Sequence, residues 1–217
     1  MKIALLGGSF NPIHIGHLAL ADEVCESLGY DRVLFVPAYN PPHKEMHSVV
    51  SREDRMEMVR LACRDDERFI AEPCEMERGG ISYTYDTICL LEEKYADVLE
   101  GKIGLIMGDD LLSGFHLWYK AKELSEKCDL ILARRPPVAL GSSKNANHAT
   151  GAYANLSSDF NPEKEPLFKN ARYIKNPFLA VSSTDVRERA SESKSFRYLV
   201  PSGVFEYIKN GGLYASN

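Results

Sequence analysis

Four short stretches of this chain are apolar without alternation: residues 3–6 (IALL), 32–38 (RVLFVPA), 102–107 (KIGLIM) and 129–134 (DLILAR). A strand with one wet face alternates apolar and polar residues, so unbroken runs of this kind fit strands covered on both faces. Helical periodicity fills the gaps between them. Ile15, Leu18, Ala21, Val24, Cys25 and Leu28 recur at helical spacing, and Gly29 supplies a stop. Ser51 with Asp54 resembles a capping box opening a helix to about Cys63. Residues 68–74 read as a weaker strand, Thr84 or Ser82 as the cap of a helix through Lys94, and residues 115–127 as a helix. Regular structure restarts at 172–174, Ser182 to Asp185 cap another helix, and a last helix follows Pro201-Ser202 with Val204, Tyr207 and Ile208 on one face. Strands alternating with helices predict an α/β fold with a doubly wound, mostly parallel sheet. Residues 1–217 are expected to form a single domain with a surface insertion at about 136–169, where Ser, Asn, Ala, Gly and Pro displace any sustained period.

Composition narrows the partners. A net charge of −5 argues against broad nucleic-acid binding, which needs basic surface, but leaves room for a small phosphorylated ligand held by local donors. Five cysteines without a CxxC spacing read as reduced thiols in a cytoplasmic protein. The first apolar run is too short for a signal segment or a membrane span, and no later run is long enough either. A homo-oligomer stays open at this stage.

Residues 7–18 read GGSFNPIHIGHL, directly after the first strand. Gly7 and Gly8 suit a tight turn and close approach of a ligand to the main chain, and Pro12 stiffens that turn. His14 and His17 then fall in the first turn of the next helix, where free N–H groups and the helix dipole favour an anion. Gly16 between them leaves that face open to a bulky ligand. The plain alternative is two polar residues in a capped turn. A zinc pair lacks an obvious third ligand, and neither the P-loop pattern nor GxGxxG is present. Ser182, Ser183 and Thr184 open a second anion-facing helix, with Arg187 one turn further on, able to bridge phosphate oxygens. Pro41-Pro42-His43-Lys44 is a stiff loop presenting a cation, and Asp109 at a strand end suits a sugar hydroxyl.

The opening stretch resembles the (H/T)xGH signature of the nucleotidyltransferase superfamily, and in full it is similar to the opening of bacterial nicotinate-nucleotide adenylyltransferases. Three more stretches match in order, PPHK at 41–44, SYTYDT at 82–87 and VSSTDVR at 181–187, as does the closing VPSGVFEYIKNGGLY. Asn11 departs from the Asp more often found there, and the long insertion departs from the compact pattern. The resemblance implies a Rossmann-like nucleotidyltransferase fold and transfer of AMP from ATP, carried with Mg2+, to nicotinate mononucleotide, releasing pyrophosphate. It implies catalytic roles for His14, His17, Lys44 and Arg187. ATP would lie on Gly8, Ser9, Phe10, Gly16, Asp109, Ser182, Ser183 and Thr184, with no protein metal ligand. The mononucleotide would meet Tyr83, Thr84, Asp86 and Trp118, with the pyridine ring stacked on the aromatic and its carboxylate on main-chain donors. Two rivals remain at this point: a related small adenylyltransferase using nicotinamide mononucleotide or phosphopantetheine, and a regulatory module that binds nucleotide without turnover.

Overall fold

The computed structural model describes residues 1–42, 50–133, 161–175, 177 and 179–215. Among them run six strands: β1 (Ile3–Gly8), β2 (Arg32–Pro37), β3 (Phe69–Ala71), β4 (Gly104–Gly108), β5 (Asp129–Ala133) and β6 (Arg172–Ile174). They form one sheet in the order β3-β2-β1-β4-β5-β6, with every neighbouring pair parallel. The chain lays down β1 to β3 in one direction, then returns to the other side of β1 for β4. The strand order therefore reverses between β1 and β4.

The connecting helices are α1 (Ile15–Leu28), α2 (Arg52–Cys63), α3 (Cys74–Arg78), α4 (Thr84–Lys94), α5 (Asp109–Leu112), α6 (Ala121–Lys127), α7 (Ser183–Ser191) and α8 (Ser202–Asn210). Successive strand residues point to opposite faces, and the core divides accordingly. Ala4, Leu6, Val33 and Phe35 pack with Val24 of α1, Met58 of α2, Val186 of α7 and Val204 of α8. Ile3, Leu5, Leu34 and Val36 pack with Ile88 and Leu91 of α4 and Leu124 of α6. Both faces are covered, which is why the strand sequences lack alternation. At about 1.5–3 kcal/mol for each large apolar side chain fully buried, these two layers are the main source of stability.

Local signals set most boundaries. Gly29 ends α1 in the left-handed region at φ 67°, its N–H donating to the Cys25 carbonyl. Ser51 and Asp54 form a reciprocal capping box on α2, and Ser182 and Asp185 do the same on α7.

Several expectations need correction. The strand expected over 68–74 ends at Ala71, and residues from Cys74 turn into α3. Neither Thr84 nor Ser82 caps α4; Tyr83 is the N-cap and offers no side-chain bond. The helix expected over 115–127 is a 3-10 turn (Phe115–Leu117) and then α6, separated because Lys120 adopts φ 52°. Gly7 and Gly8 lie inside β1, and the positive φ of the following turn falls on Phe10, at 44°. The surface insertion does not reach 169: Phe168 closes a 3-10 turn (Pro166–Phe168) and is buried against Phe115 and Leu124. Residues 134–160 lie outside the described part.

Candidate active site

A cleft of about 750 Å³ opens at the carboxyl ends of the strands, beside the reversal between β1 and β4. In an open α/β sheet this is where loops diverge and a crevice must form. Gly7, Gly8, Ser9 and Phe10 form its floor, with His14, Gly16 and His17 at the start of α1. Ser182, Ser183, Thr184 and Arg187 of α7 form one wall, and Ser82, Tyr83, Thr84 and Trp118 form another. The first residues of α1, α4 and α7 thus face one space. Each helix start presents N–H groups lacking intrahelical acceptors and the positive end of a dipole, so the cleft has three anion-facing walls inside a net acidic protein.

The histidines are organised by the helix start itself. His14 is the N-cap of α1, one position earlier than the first helical turn expected for it. Its backbone N–H donates to Nδ1 of His17 at 3.1 Å. The two rings stack at 3.7 Å with 26° between planes, and the Phe10 edge rests on His17 at 5.1 Å. Gly16 permits this arrangement in a way unlike the one expected. A Cβ there would stand 3.1 Å from the His14 ring and 3.1 Å from Cγ1 of Val181, so the space is taken by those side chains.

The turn between β1 and α1 is held from outside by four side chains. Arg55, buried in α2, donates to the Ser9 carbonyl at 2.8 Å. Burial, and then the neighbouring Arg52, pull the Arg55 pKa below its ordinary value. Ser183 Oγ donates to the Pro12 carbonyl at 2.8 Å, and Arg187 donates to the Asn11 carbonyl at 2.7 Å. The Tyr214 hydroxyl donates to Oδ1 of Asn11 at 2.6 Å. Asn11 is therefore a strut in this turn. Arg187 also donates to Thr184 Oγ1 at 3.1 Å, which fixes its guanidinium at the mouth of α7. Ser182 Oγ donates to the Asp185 carboxylate at 2.6 Å, so α7 meets a ligand with backbone N–H groups while both serine hydroxyls are engaged elsewhere.

On the opposite wall, Tyr83 and Tyr119 stand 4.7 Å apart and Trp118 leans on Phe115 at 5.3 Å. Trp118 lies just past a 3-10 turn and is half-buried. Asp86 does not line the cleft, although it lies in the first turn of α4. Lys44 and the Asp109 side chain lie outside the described residues, so their expected roles are not placed. Glu75 and Tyr119 do line the cleft and carried no sequence signal of their own. No group of three His, Cys, Asp or Glu side chains converges among the described residues. No helix among them is long and apolar enough to cross a membrane.

Comparison with known proteins agrees with this geometry. Residues 5–189 match the family model described as cytidylyltransferase-like. The probable nicotinate-nucleotide adenylyltransferase of Treponema pallidum is 40% identical over 216 residues, covering 100% of both chains. Among solved structures, the Plasmodium falciparum nicotinic acid mononucleotide adenylyltransferase complexed with APC superposes with a TM-score of 0.68 at 16% identity, covering 98% of this chain and 96% of that one. The same enzyme complexed with NaAD gives 0.65 at 16% identity, covering 98% and 97%.

Proposed function

This chain belongs to the cytidylyltransferase-like family and, within it, to the nicotinate-nucleotide adenylyltransferases, and from that premise we propose how its cleft does the chemistry. The enzyme transfers AMP from ATP to nicotinate mononucleotide, giving nicotinate adenine dinucleotide. The mononucleotide's 5′-phosphate oxygen attacks the α-phosphorus of ATP, the bond from that phosphorus to the bridging oxygen breaks, and pyrophosphate leaves with the electron pair. No protein nucleophile is required, so catalysis rests on alignment and on stabilising negative charge as it shifts.

The observation that carries this reading is the convergence of three helix N-termini on one cleft, each starting with residues of a matching motif. His14 and His17 face the transferring phosphate, and α7 with Arg187 faces the leaving end. Lys44 is assigned to the charge on the phosphates. Thr84 and Tyr85 offer backbone donors to the nicotinate carboxylate, and Trp118 supplies a face for the pyridine ring. Asp109 is assigned to a sugar hydroxyl. Magnesium enters as part of the MgATP substrate, carried on its phosphates. A cytoplasmic location belongs to the same proposal and is supported by five free thiols.

Acceptor choice tests the reading. A carboxylate accepts at both oxygens, whereas an amide turns an NH₂ group towards the N–H donors of α4. Such a mismatch costs about 1–3 kcal/mol, so kcat/KM should favour the acid over the amide mononucleotide by at least about tenfold. The measurement is pyrophosphate release with MgATP and each of nicotinate mononucleotide, nicotinamide mononucleotide and phosphopantetheine. Equal use of the amide would overturn the acceptor site as drawn, and no release with any acceptor would overturn catalysis itself.

A further inference from the structure

Glu75 is buried at 6% exposure, lines the cleft beside Ser82, Tyr83 and Thr84, and has no part in the chemistry above. Both its carboxylate oxygens accept. Oε1 takes the hydroxyl of Thr87, in the first turns of α4, at 2.6 Å. Oε2 takes the backbone N–H of Tyr39, just past β2, at 3.3 Å. The Tyr39 N–H is shared with Ser82 Oγ at 3.0 Å, which also accepts from the Asn40 N–H at 3.0 Å, and the Ser82 N–H returns to the Asn40 carbonyl at 2.9 Å. The start of α4 is thus tied to the end of β2 through one buried acidic group and one buried hydroxyl. Tyr83 gives α4 no side-chain cap, and the first turn's own bonds, from the Thr87 N–H and hydroxyl to the Tyr83 carbonyl, do not reach β2.

We propose that Glu75 is a positioning residue for the mononucleotide: it holds the N-terminus of α4 at the distance from β2 that the pyridine carboxylate requires. The assignment rests on the adenylyl-transfer reading of the cleft. The bridge between α4 and β2 is the essential property. Glu75→Ala removes it and leaves the Thr87 hydroxyl only the Tyr83 carbonyl, at 3.2 Å within α4 itself. Glu75→Gln keeps it, its NH₂ donating to Thr87 Oγ1 and its oxygen accepting from the Tyr39 N–H. ATP lies on the β1–α1 turn and α7, which are braced by other side chains, and so it should not register the change.

The test is steady-state kinetics of Glu75→Ala, Glu75→Gln, Thr87→Val and Thr87→Ser with each substrate varied separately. Binding of nicotinate mononucleotide is followed alongside through the fluorescence of Trp118, the only tryptophan. Glu75→Ala should raise KM and Kd for the mononucleotide about tenfold, the scale for losing one buried hydrogen bond to a charged group, and Glu75→Gln should lie closer to wild type. KM for ATP should stay within about twofold, as expected for a site sharing no contact with the change. Thr87→Val should show the same split more weakly, and Thr87→Ser, which keeps the hydroxyl, should restore binding. Equal shifts in both KM values, or no shift in either, for Glu75→Ala overturn the positioning role; if Glu75→Ala does not fold, the Thr87 pair decides by the same split. A wild-type enzyme without turnover would instead overturn the proposed function, and this role with it.

Discussion

The backbone N–H of His14 decides which nitrogen of His17 holds its proton. Nδ1 accepts that bond, so a neutral His17 ring carries its hydrogen on Nε2 and is a donor there. Stacking on His14 and the edge contact from Phe10 fix the ring plane. A pre-aimed donor beside a phosphate in transfer is worth far more than a mobile one. His17→Ala should therefore lower kcat by about 10²–10³-fold, while circular dichroism and melting temperature stay near wild type. Near-normal turnover in a folded variant would remove His17 from the chemistry. That both histidines would sit together at the start of α1 was legible in the sequence, because they follow the Pro-containing turn at a spacing of three. The conformation around them was not legible. Two adjacent glycines suggested the turn, yet the left-handed residue is Phe10, whose ring is held between His17 and Phe35. Glu75 was invisible for a related reason: its role comes from Tyr39 and Thr87, 36 positions before and 12 after it.

Helix starts were the most readable elements where a capping side chain announces them. The boxes at Ser51 and Ser182 are local, and both formed as their spacing implied. Helix α4 lacks such a cap, and the break at Trp118 to Lys120 has no Gly or Pro to mark it. The segment ahead of β6 shows where composition misleads. Its Ser- and Asn-rich content suggested a surface insertion up to about 169, but Phe168 is 4% exposed and its ring lies 5.3 Å from Phe115. It fills the layer formed by α4 and α6, and truncation would leave a cavity there. Phe168→Ala should cost about 3–5 kcal/mol of stability, read from chemical denaturation. Replacing 138–168 with a Gly/Ser linker removes the same ring and should destabilise by at least as much. Wild-type stability in either variant would show that Phe168 is not a core residue.

Most of the sheet was legible because a two-sided core leaves its mark on β1, β2, β4 and β5: with no wet face, their apolar runs lose alternation. The three-residue edge strands β3 and β6 are partly exposed and carry a weaker signal. The same burial on both faces governs the cysteines. Cys25 and Cys63 lie in one layer, Cys74 and Cys128 in the other, and all are free thiols. Burial pushes the Cys25 thiol up to about 11 and those of Cys63, Cys74 and Cys128 up to about 12, from an ordinary 9.0. A folded-state pKa above the unfolded one means that, over this window, the unfolded chain binds fewer protons, so stability falls as pH rises. The contribution is complete below pH 9 and declines from there towards the folded-state values near 11 and 12. Tyr30, raised by burial up to about 12, and Lys94, raised by its bond to Glu72, act with the same sign at higher pH. The melting temperature should therefore hold from pH 7 to about 9 and then drop steeply, before the lysines and tyrosines titrate. Replacing the four buried cysteines with Ala or Val should flatten the first part of that drop. At pH 8 a thiol reagent should modify half-buried Cys89 quickly in the native enzyme and reach all five only on unfolding. A melting temperature constant to pH 10, or fast modification of all five thiols in the folded enzyme, would mean that the thiols are not shielded by the two layers that build the sheet.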